Sequence, residues 1–419
     1  AQRCAVLLAL ADAQSWSAAP ELTAACYREG AELARQVGLT AQFAKAAIGF
    51  ARSSTQAAQS GDAAVAMLLE AIALHQGDDP VRAELTSRLC VAYVYCDRAD
   101  DAMEAHRRAV ALARRIGDMR SLYVALASIV AAGYWPELLP QRVAAADEAW
   151  AIAEDLDLPE RAIDLLPFYL CDLIRIGDVG RLAQILEQGR RLTEQRRIYY
   201  FLSLCQHVEA MVSIGEGRFE DAEAAAVRAL EVGRKIDEDR AVGAYGMVMF
   251  CLRREQGRLS EALPMLQKFV QDAPRTNHWL PGLALLYAEL DMREQCRAEF
   301  DGLPWHRASL PPTDGATMTI VTFVAEVCIY LGDAQRAALL YRLLKGHAGA
   351  NVLADSAGPC LGSTDRLLGS LATVMEQWDL AQAHFEAALA MDSKTGWRVW
   401  LAHSRYHYAL MLHRRAAAG

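Results

Sequence analysis

A short segment recurs along this chain at intervals of about 40 residues, and this repetition constrains the fold more than any other feature. The segment Gly-Arg-Phe-Glu-Asp-Ala that ends at Ala222 returns as Gly-Arg-Leu-Ser-Glu-Ala, which ends at Ala262. Related segments end at Ala337 and Ala381, and we call these four alanines the anchors. The residues four and seven positions after each anchor are small or apolar, so all three lie on one helical face. Weaker copies have anchors at Ala24, Ala64, Ala102, Ala146, Leu182 and Cys296.

A second helix precedes each anchor helix. Small residues stand twelve positions before four of the ten anchors, strong and weak, where they allow two antiparallel helices to approach closely. Glycines stand five positions before a different set of four anchors, where a left-handed C-cap can end the preceding helix. These residues are Ala210, Ala284, Ala325 and Gly369, and Gly177, Gly217, Gly257 and Gly332. A single hairpin cannot bury its apolar face, whereas a stack of hairpins can. The pattern predicts an all-α superhelix of about ten helical hairpins that forms one domain over residues 1–419, with a last helix from about Trp397 to Arg415 and essentially no β-structure.

The charge and the cysteines exclude several classes of protein. The net charge of −9 argues against direct binding of nucleic acid, because phosphate backbones require a basic surface. None of the ten cysteines forms a C-x-x-C pair, which favours buried thiols in a reducing compartment, the cytoplasm. A membrane span is not expected, because the most apolar run, 318–331, is short and Glu326 interrupts it.

The Gly, Ala, aromatic, Ala pattern resembles the tetratricopeptide repeat (TPR), and the longer unit resembles the sensor superhelix of MalT-type bacterial regulators. The likeness is densest after about residue 280, in 283–290, 325–333, 337–341 and 360–369. This region resembles the C-terminal repeats of large signalling ATPases that carry a LuxR-type DNA-binding domain or a class III adenylate cyclase domain. The resemblance implies that the chain is the C-terminal part of a larger protein, with its ATPase and output domains outside this sequence.

Sequence motifs for chemistry are absent. The chain has no G-x-x-x-x-G-K-[ST] motif and no G-x-S-x-G motif, so we expect no enzyme activity, no catalytic residues and no cofactor. His403 and His407 have a helical spacing that can hold a metal, but no H-E-x-x-H motif includes them, and we expect no metal site. Packing in the core is the interpretation that we favour for His106.

The candidate binding surface lies on the inner face of the C-terminal third. The segment 358–366 contains Gly, Pro, Ser and Asp, which predicts a loop between repeats. At the end of this loop Ser363 would cap a helix that has Asp365 in its first turn. Arg366 would then face the groove and bind an anionic ligand, since its donors form a planar fork. Trp397, Arg398 and Trp400 add the residue types of binding hot spots, although a terminal cap that packs the last groove explains the tryptophans equally. Alanine at position 366 or 398 is expected to change stability little.

Two functions remain open from sequence alone. The first is a regulatory module of a bacterial signalling ATPase, which binds a small-molecule effector or a protein partner and controls transcription or cyclic-nucleotide synthesis. The alternative is a free-standing TPR adaptor that binds a peptide or protein in its concave groove. A homodimer is possible, and dimerisation in solution would favour this alternative. An enzyme on a helical-repeat scaffold would require a metal, a cofactor or clustered titratable residues in the groove.

Overall fold

The computed structural model describes residues 1–14, 20–56, 61–131, 136–272, 280–303, 315–354 and 358–418. Within these ranges the chain forms 21 α-helices, several short 3-10 helices and one small β-hairpin. The chain divides into two compact units, Ala1–Leu165 and Leu166–Gly419. The last helix predicted from the sequence, from about residue 397 to 415, is present as the helix Arg398–Ala418.

The N-terminal unit consists of antiparallel helix pairs. Its helices are α1 (Gln2–Gln14), α2 (Pro20–Val37), α3 (Thr40–Gln56), α4 (Asp62–Leu74), α5 (Pro80–Val94), α6 (Ala99–Ile116), α7 (Met119–Ala131), α8 (Leu139–Asp155) and the first part of α9 (Pro159–Ile176). His106 on α6 is buried, and its Nδ1 lies 3.1 Å from the carbonyl oxygen of Ala125 on α7. This contact confirms the interpretation of His106 as a packed core residue.

The C-terminal unit continues the same alternation and contains the β-hairpin. Its helices after α9 are α10 (Val179–Arg196), α11 (Tyr199–Glu216), α12 (Phe219–Gly233), α13 (Glu238–Glu255), α14 (Leu263–Asp272), α15 (Leu280–Glu289), α16 (Arg293–Gly302), α17 (Gly315–Leu331), α18 (Ala334–Leu344), α19 (Thr364–Val374), α20 (Trp378–Thr395) and α21 (Arg398–Ala418). The two strands are β1 (Asn351–Leu353) and β2 (Cys360–Ser363).

The helices of each unit form two layers. Most consecutive helices pack together, and several odd-numbered helices also pack on the next odd-numbered helix. In the N-terminal unit α1, α3, α5 and α7 stack in this way, and in the C-terminal unit α15, α17, α19 and α21 do so. This is the packing of a helical-repeat stack, in which each repeat contacts its neighbours. The predicted all-α repeat fold is confirmed.

The predicted anchors are buried at the contact between paired helices, with one exception. Ala222, Ala337 and Ala381 have no exposed surface, and the weaker anchors from Ala24 to Cys296 are at most 1% exposed. The prediction is wrong for Ala262, which is partly exposed and ends a 3-10 helix, Leu259–Ala262, before α14 begins. Pro264 explains this break, because a proline there would clash with the carbonyl of Ser260 in a continuous α-helix.

Glycines end the preceding helices as the spacing predicts. Gly177, Gly217, Gly257 and Gly332 all have positive φ angles, between 67° and 79°. At Gly217 the amide N–H bonds to the carbonyl of Ile214, which satisfies an acceptor at the end of α11. The left-handed conformation is accessible to glycine without steric cost, so the sequence register and the helix ends agree.

The expectation of essentially no β-structure is wrong for one segment. Strands β1 and β2 pair antiparallel, with Asn351 opposite Ser363 and Leu353 opposite Cys360. The segment 358–366, interpreted as an inter-repeat loop, therefore supplies a strand before it enters α19. Gly362 has a φ of 87°, and a Cβ there would lie 3.3 Å from Trp400 Cε3, so the hairpin requires glycine at this position. A hairpin this short has no alternating apolar pattern that sequence analysis can detect.

The C-terminal end of the second unit packs back on the beginning of that unit. Asn351 Nδ2 donates to the carbonyl of Ile174 at 2.9 Å, and Lys394 Nζ donates to the carbonyl of Ile176 at 2.7 Å. Both carbonyls belong to the last turn of α9, where acceptors lack partners within the helix and a cation is favoured. Trp397 is buried, and a Cβ at Gly215 of α11 would lie 2.9 Å from its ring. We call these contacts the closing contact.

Leucine in place of Ala337 is expected to destabilise the C-terminal unit by about 1–3 kcal/mol, because Ala337 has no exposed surface and the larger side chain overpacks its helix contact. Ala334, on the same helix, is exposed, so Ala334→Leu serves as the control and should change stability by less than about 0.5 kcal/mol. Urea unfolding of both variants measures the difference. Equal midpoints for the two variants would contradict the assigned register.

Candidate functional site

A cavity of about 720 Å³ lies on the layer of odd-numbered helices of the C-terminal unit, which we call the inner layer. Side chains of α13, α15, α17, α19 and α21 form most of its wall, together with Phe219 at the start of α12. Its volume falls in the range of small-molecule sites, about 300–1,000 Å³. The polar lining residues are Arg254, Glu255, Glu289, Glu326, Tyr330, Arg366, Ser370, His403, Tyr406, His407 and Arg414.

A buried carboxylate joins two arginines in the wall of this cavity. Arg254 donates through Nη2 to one oxygen of Glu326, and Arg366 Nη2 lies 3.3 Å from the other oxygen. Only 12% of the Arg254 side chain, 8% of Glu326 and 3% of Arg366 is exposed. Arg254 also bonds Glu289 at 2.6 Å, and Arg366 donates to the carbonyl of Leu361 at 2.8 Å. The inner layer is thus held together by an ion network that spans α13, α15, α17 and α19.

The network keeps its groups charged despite burial. Burial alone raises the pKa of Glu326, but the two guanidinium groups of Arg254 and Arg366 outweigh it and lower the pKa to about 2. Burial alone lowers the pKa of Arg254, whereas the carboxylates of Glu326 and Glu289 raise it above its ordinary value. At neutral pH Glu326 and Arg254 are therefore both ionised.

A second carboxylate pairs with a histidine of α21. Glu255 Oε2 lies 2.8 Å from His403 Nε2, and the ring of His403 stacks on Trp400 with centroids 5.6 Å apart. Burial alone raises the pKa of Glu255, but the hydrogen bond from His403 reverses this and lowers it below its ordinary value. The pair fixes α21 to α13 across the cavity.

His407 is neutral in this site. Burial first, and then the positive charge of Arg366, lowers the pKa of His407 to about 3. The neutral ring has one N–H donor and one acceptor nitrogen.

The site residues predicted from sequence have different environments in the structure. Arg366 lines the cavity, as expected. Ser363 caps α19, as expected, by accepting a bond from the amide of Asp365 at 3.2 Å. The carboxylate of Asp365 is buried and accepts from the amide of Gly349 at 2.6 Å, and it pairs with His384 at 2.7 Å. Ser363 and Asp365 therefore hold the β-hairpin and α19 in place and are not among the residues that line the cavity.

The remaining three predicted site residues also lie outside the cavity wall. Trp397 forms the closing contact, and Trp400 packs against Gly362 and His403. Arg398 is exposed at the start of α21. A ligand-binding role for these three residues stays a prediction, and the packing role proposed as the alternative for the tryptophans accounts for their burial.

Alanine at position 366 is not a neutral change. Arg366 is 2% exposed and bonds both Glu326 and the carbonyl of Leu361. Removing it would leave buried acceptors without a donor, which costs about 1–3 kcal/mol for each group. The expectation that this substitution changes stability little is wrong, because the sequence did not show that the side chain is enclosed.

Sequence reasoning missed most of the polar lining. Arg254 and Glu255, Glu289, and Tyr330 come from three separate stretches that the fold brings together. One signal was present: Glu326 stands alone in the apolar run 318–331, with no basic residue in that run. A buried carboxylate requires a cation, which here comes from 72 residues before it in the sequence, at Arg254.

The described residues contain no group of three or more His, Cys, Asp or Glu side chains that could hold a metal. His403 and His407 both line the cavity, but His403 is paired with Glu255.

None of the helices in the described ranges is long and apolar enough to cross a membrane. Eight of the ten cysteines are buried, in agreement with the interpretation of them as core residues.

Comparison with known proteins gives little guidance. No protein-family model matches the chain, and no curated protein matches it. Among solved structures it is similar to the crystal structure of the P58(IPK) TPR domain, with 10% identity over 94% of this chain and 99% of that chain. The TM-score of 0.22 is too low for this match to carry any argument. The helical-repeat fold of the chain rests on the helix packing described above.

Proposed function

We propose that this chain is a regulatory helical-repeat module whose C-terminal unit binds a small molecule in the cavity of its inner layer. The observation that carries the proposal is the cavity itself. Its volume of about 720 Å³ suits a small molecule, and its wall combines apolar side chains with a few polar groups that converge from five helices. A surface that only packs repeats together does not require charged residues at this depth.

The position of α21 explains how an occupant could be sensed. Val399, His403 and Leu410 of this helix line the cavity. The same helix begins next to Trp397, whose ring packs on Gly215 of α11 in the closing contact. A molecule that binds the wall formed by α21 therefore favours one position of this helix. That position is the one in which the closing contact is formed.

The wider role follows from the sequence resemblance. A sensor of this kind would bias a signalling ATPase between inactive and active states and thereby control transcription or cyclic-nucleotide synthesis. The ATPase and the output domain would lie outside the residues described here, and the module would act in the cytoplasm without catalysing a reaction of its own.

The test compares two alanines of α21 in the full chain. Both Ala402 and Ala409 are exposed, but only Ala402 is a lining residue. Tryptophan at position 402 would fill part of the cavity, whereas tryptophan at position 409 would not. The small-molecule fraction of a bacterial extract should raise the melting temperature of the wild type and of Ala409→Trp, and leave Ala402→Trp unchanged.

Native mass spectrometry of the same samples identifies the bound mass. We expect one small molecule per chain on the wild type and on Ala409→Trp, and none on Ala402→Trp. If the extract fraction stabilises Ala402→Trp as much as the wild type, the site lies elsewhere. If no fraction stabilises any of the three proteins, the proposed function is wrong.

A further inference from the structure

The hydrogen-bonding groups of the cavity wall are unequally satisfied. All three carboxylates have cationic or histidine partners: Glu326 has both arginines, Glu289 has Arg254, and Glu255 has His403. The wall therefore has no buried carboxylate that requires a further donor. A ligand that offers mainly cationic groups would compete with pairs that already exist.

Donors, in contrast, are left over. Nε of Arg254 and Nε of Arg366 are both buried, and neither has a hydrogen-bond partner among the described residues. A buried N–H without an acceptor costs about 1–3 kcal/mol, more when the group is charged. Both arginines line the cavity, so an acceptor held against their guanidinium groups would add to the few acceptors that they have there.

The geometry of the shared ion pair points in the same direction. One carboxylate, Glu326, is shared by two guanidinium groups, and its distance to Arg366 is 3.3 Å, longer than an ordinary charge-assisted bond. His407, which lines the same wall, is neutral and adds another N–H. An anionic head group next to Arg254, Arg366 and His407 accepts hydrogen bonds from these side chains, which must outweigh its repulsion by the wall carboxylates Glu255, Glu289 and Glu326.

The rest of the wall is apolar. Phe219, Leu285, Ile329, Val399 and Leu410 line the cavity. Burying a hydrocarbon or aromatic body against them is favourable by about 25 cal/mol per Å² of apolar surface. A free inorganic anion would leave this part of the wall uncovered.

Resting on the proposed function above, we propose that the ligand is a small amphipathic acid. Its carboxylate or phosphate-ester head group accepts hydrogen bonds from Arg254, Arg366 and His407, and its apolar body covers the wall around Phe219, Leu285 and Ile329.

Four probes separate the parts of this proposal: benzoate, phenyl phosphate, benzamide and inorganic phosphate. Isothermal titration calorimetry on the full chain at neutral pH measures each. We expect benzoate or phenyl phosphate to bind at least about tenfold more tightly than benzamide, and phenyl phosphate to bind more tightly than inorganic phosphate. The stronger of the two acids identifies the head group as carboxylate or phosphate ester.

Two histidines of α21 provide the matched variants. His407 lines the cavity, whereas His413 is exposed outside it. His407→Leu should weaken binding of the better acid by about tenfold, the effect of one lost hydrogen bond to a charged group, and His413→Leu should leave it unchanged.

Each other outcome overturns the inference. Benzamide that binds as tightly as benzoate excludes the anionic head group, and inorganic phosphate that matches phenyl phosphate excludes the apolar body. Equal binding by the His407 and His413 variants places the acid elsewhere. If none of the probes binds with a Kd below about 10 mM, the amphipathic acid is wrong, while the extract experiment on Ala402→Trp still decides the proposed function independently.

Discussion

Replacing Glu326 by alanine is expected to lower the free energy of unfolding by about 3–5 kcal/mol, because the change leaves Arg254 and Arg366 buried without the carboxylate they share. The loss should appear in urea unfolding as a lower midpoint. Since all three residues belong to the inner layer of the C-terminal unit, the loss of stability should be confined to the repeats of that unit that contact them.

A surface pair provides the control for this prediction. Glu223 pairs with Arg253 at 2.6 Å, but 39% of the Glu223 side chain is exposed, so Glu223→Ala should cost at most about 1 kcal/mol. Replacing the whole triad by apolar residues, with Glu326→Leu, Arg254→Met and Arg366→Met, should restore most of the stability that Glu326→Ala loses. A Glu326→Ala variant as stable as Glu223→Ala would show that the network is not enclosed.

Alanine at position 397 is the second change with a large expected effect. Trp397 is 2% exposed and packs on Gly215, so its removal leaves a large cavity in the closing contact. Truncation of a buried tryptophan costs about 3–5 kcal/mol. We expect a lower unfolding midpoint, together with faster hydrogen exchange of the amides in the last turn of α9 and in α11.

The location of the exchange separates this prediction from general destabilisation. Leu412→Ala, on the same helix but 46% exposed, should change stability by less than about 0.5 kcal/mol and leave exchange in α9 and α11 unchanged. If Trp397→Ala speeds hydrogen exchange equally throughout the C-terminal unit, the closing contact does not open independently of the rest of the unit. The proposal that α21 links the cavity to this contact would then be wrong.

The sequence was sufficient to predict the helical-repeat stack because the signals are local. The anchor alanines and the C-cap glycines recur at fixed spacing, and helix pairing depends on residues a few positions apart. Ala222, Ala337 and Ala381 are buried as this argument requires. The argument was wrong at Ala262, where a neighbouring residue, Pro264, breaks the helix, and at 351–363, where a short β-hairpin has no periodic pattern of its own.

The candidate site was decided by tertiary structure. Arg254, Glu326 and Arg366 lie on three different helices, and no spacing in the sequence predicts that one carboxylate pairs with both arginines. Ion pairs of this kind depend on how the odd-numbered helices stack.

Tertiary structure also assigned different roles to residues that the sequence grouped together. Of the six predicted site residues, Arg366 lines the cavity, while Ser363 and Asp365 organise the start of α19 and Trp397 holds the closing contact. The sequence showed that aromatic and arginine residues cluster near the end of the chain. Helix periodicity fixes which residues of one helix share a face, whereas the direction in which that face points depends on contacts with segments as distant as α9 and α11.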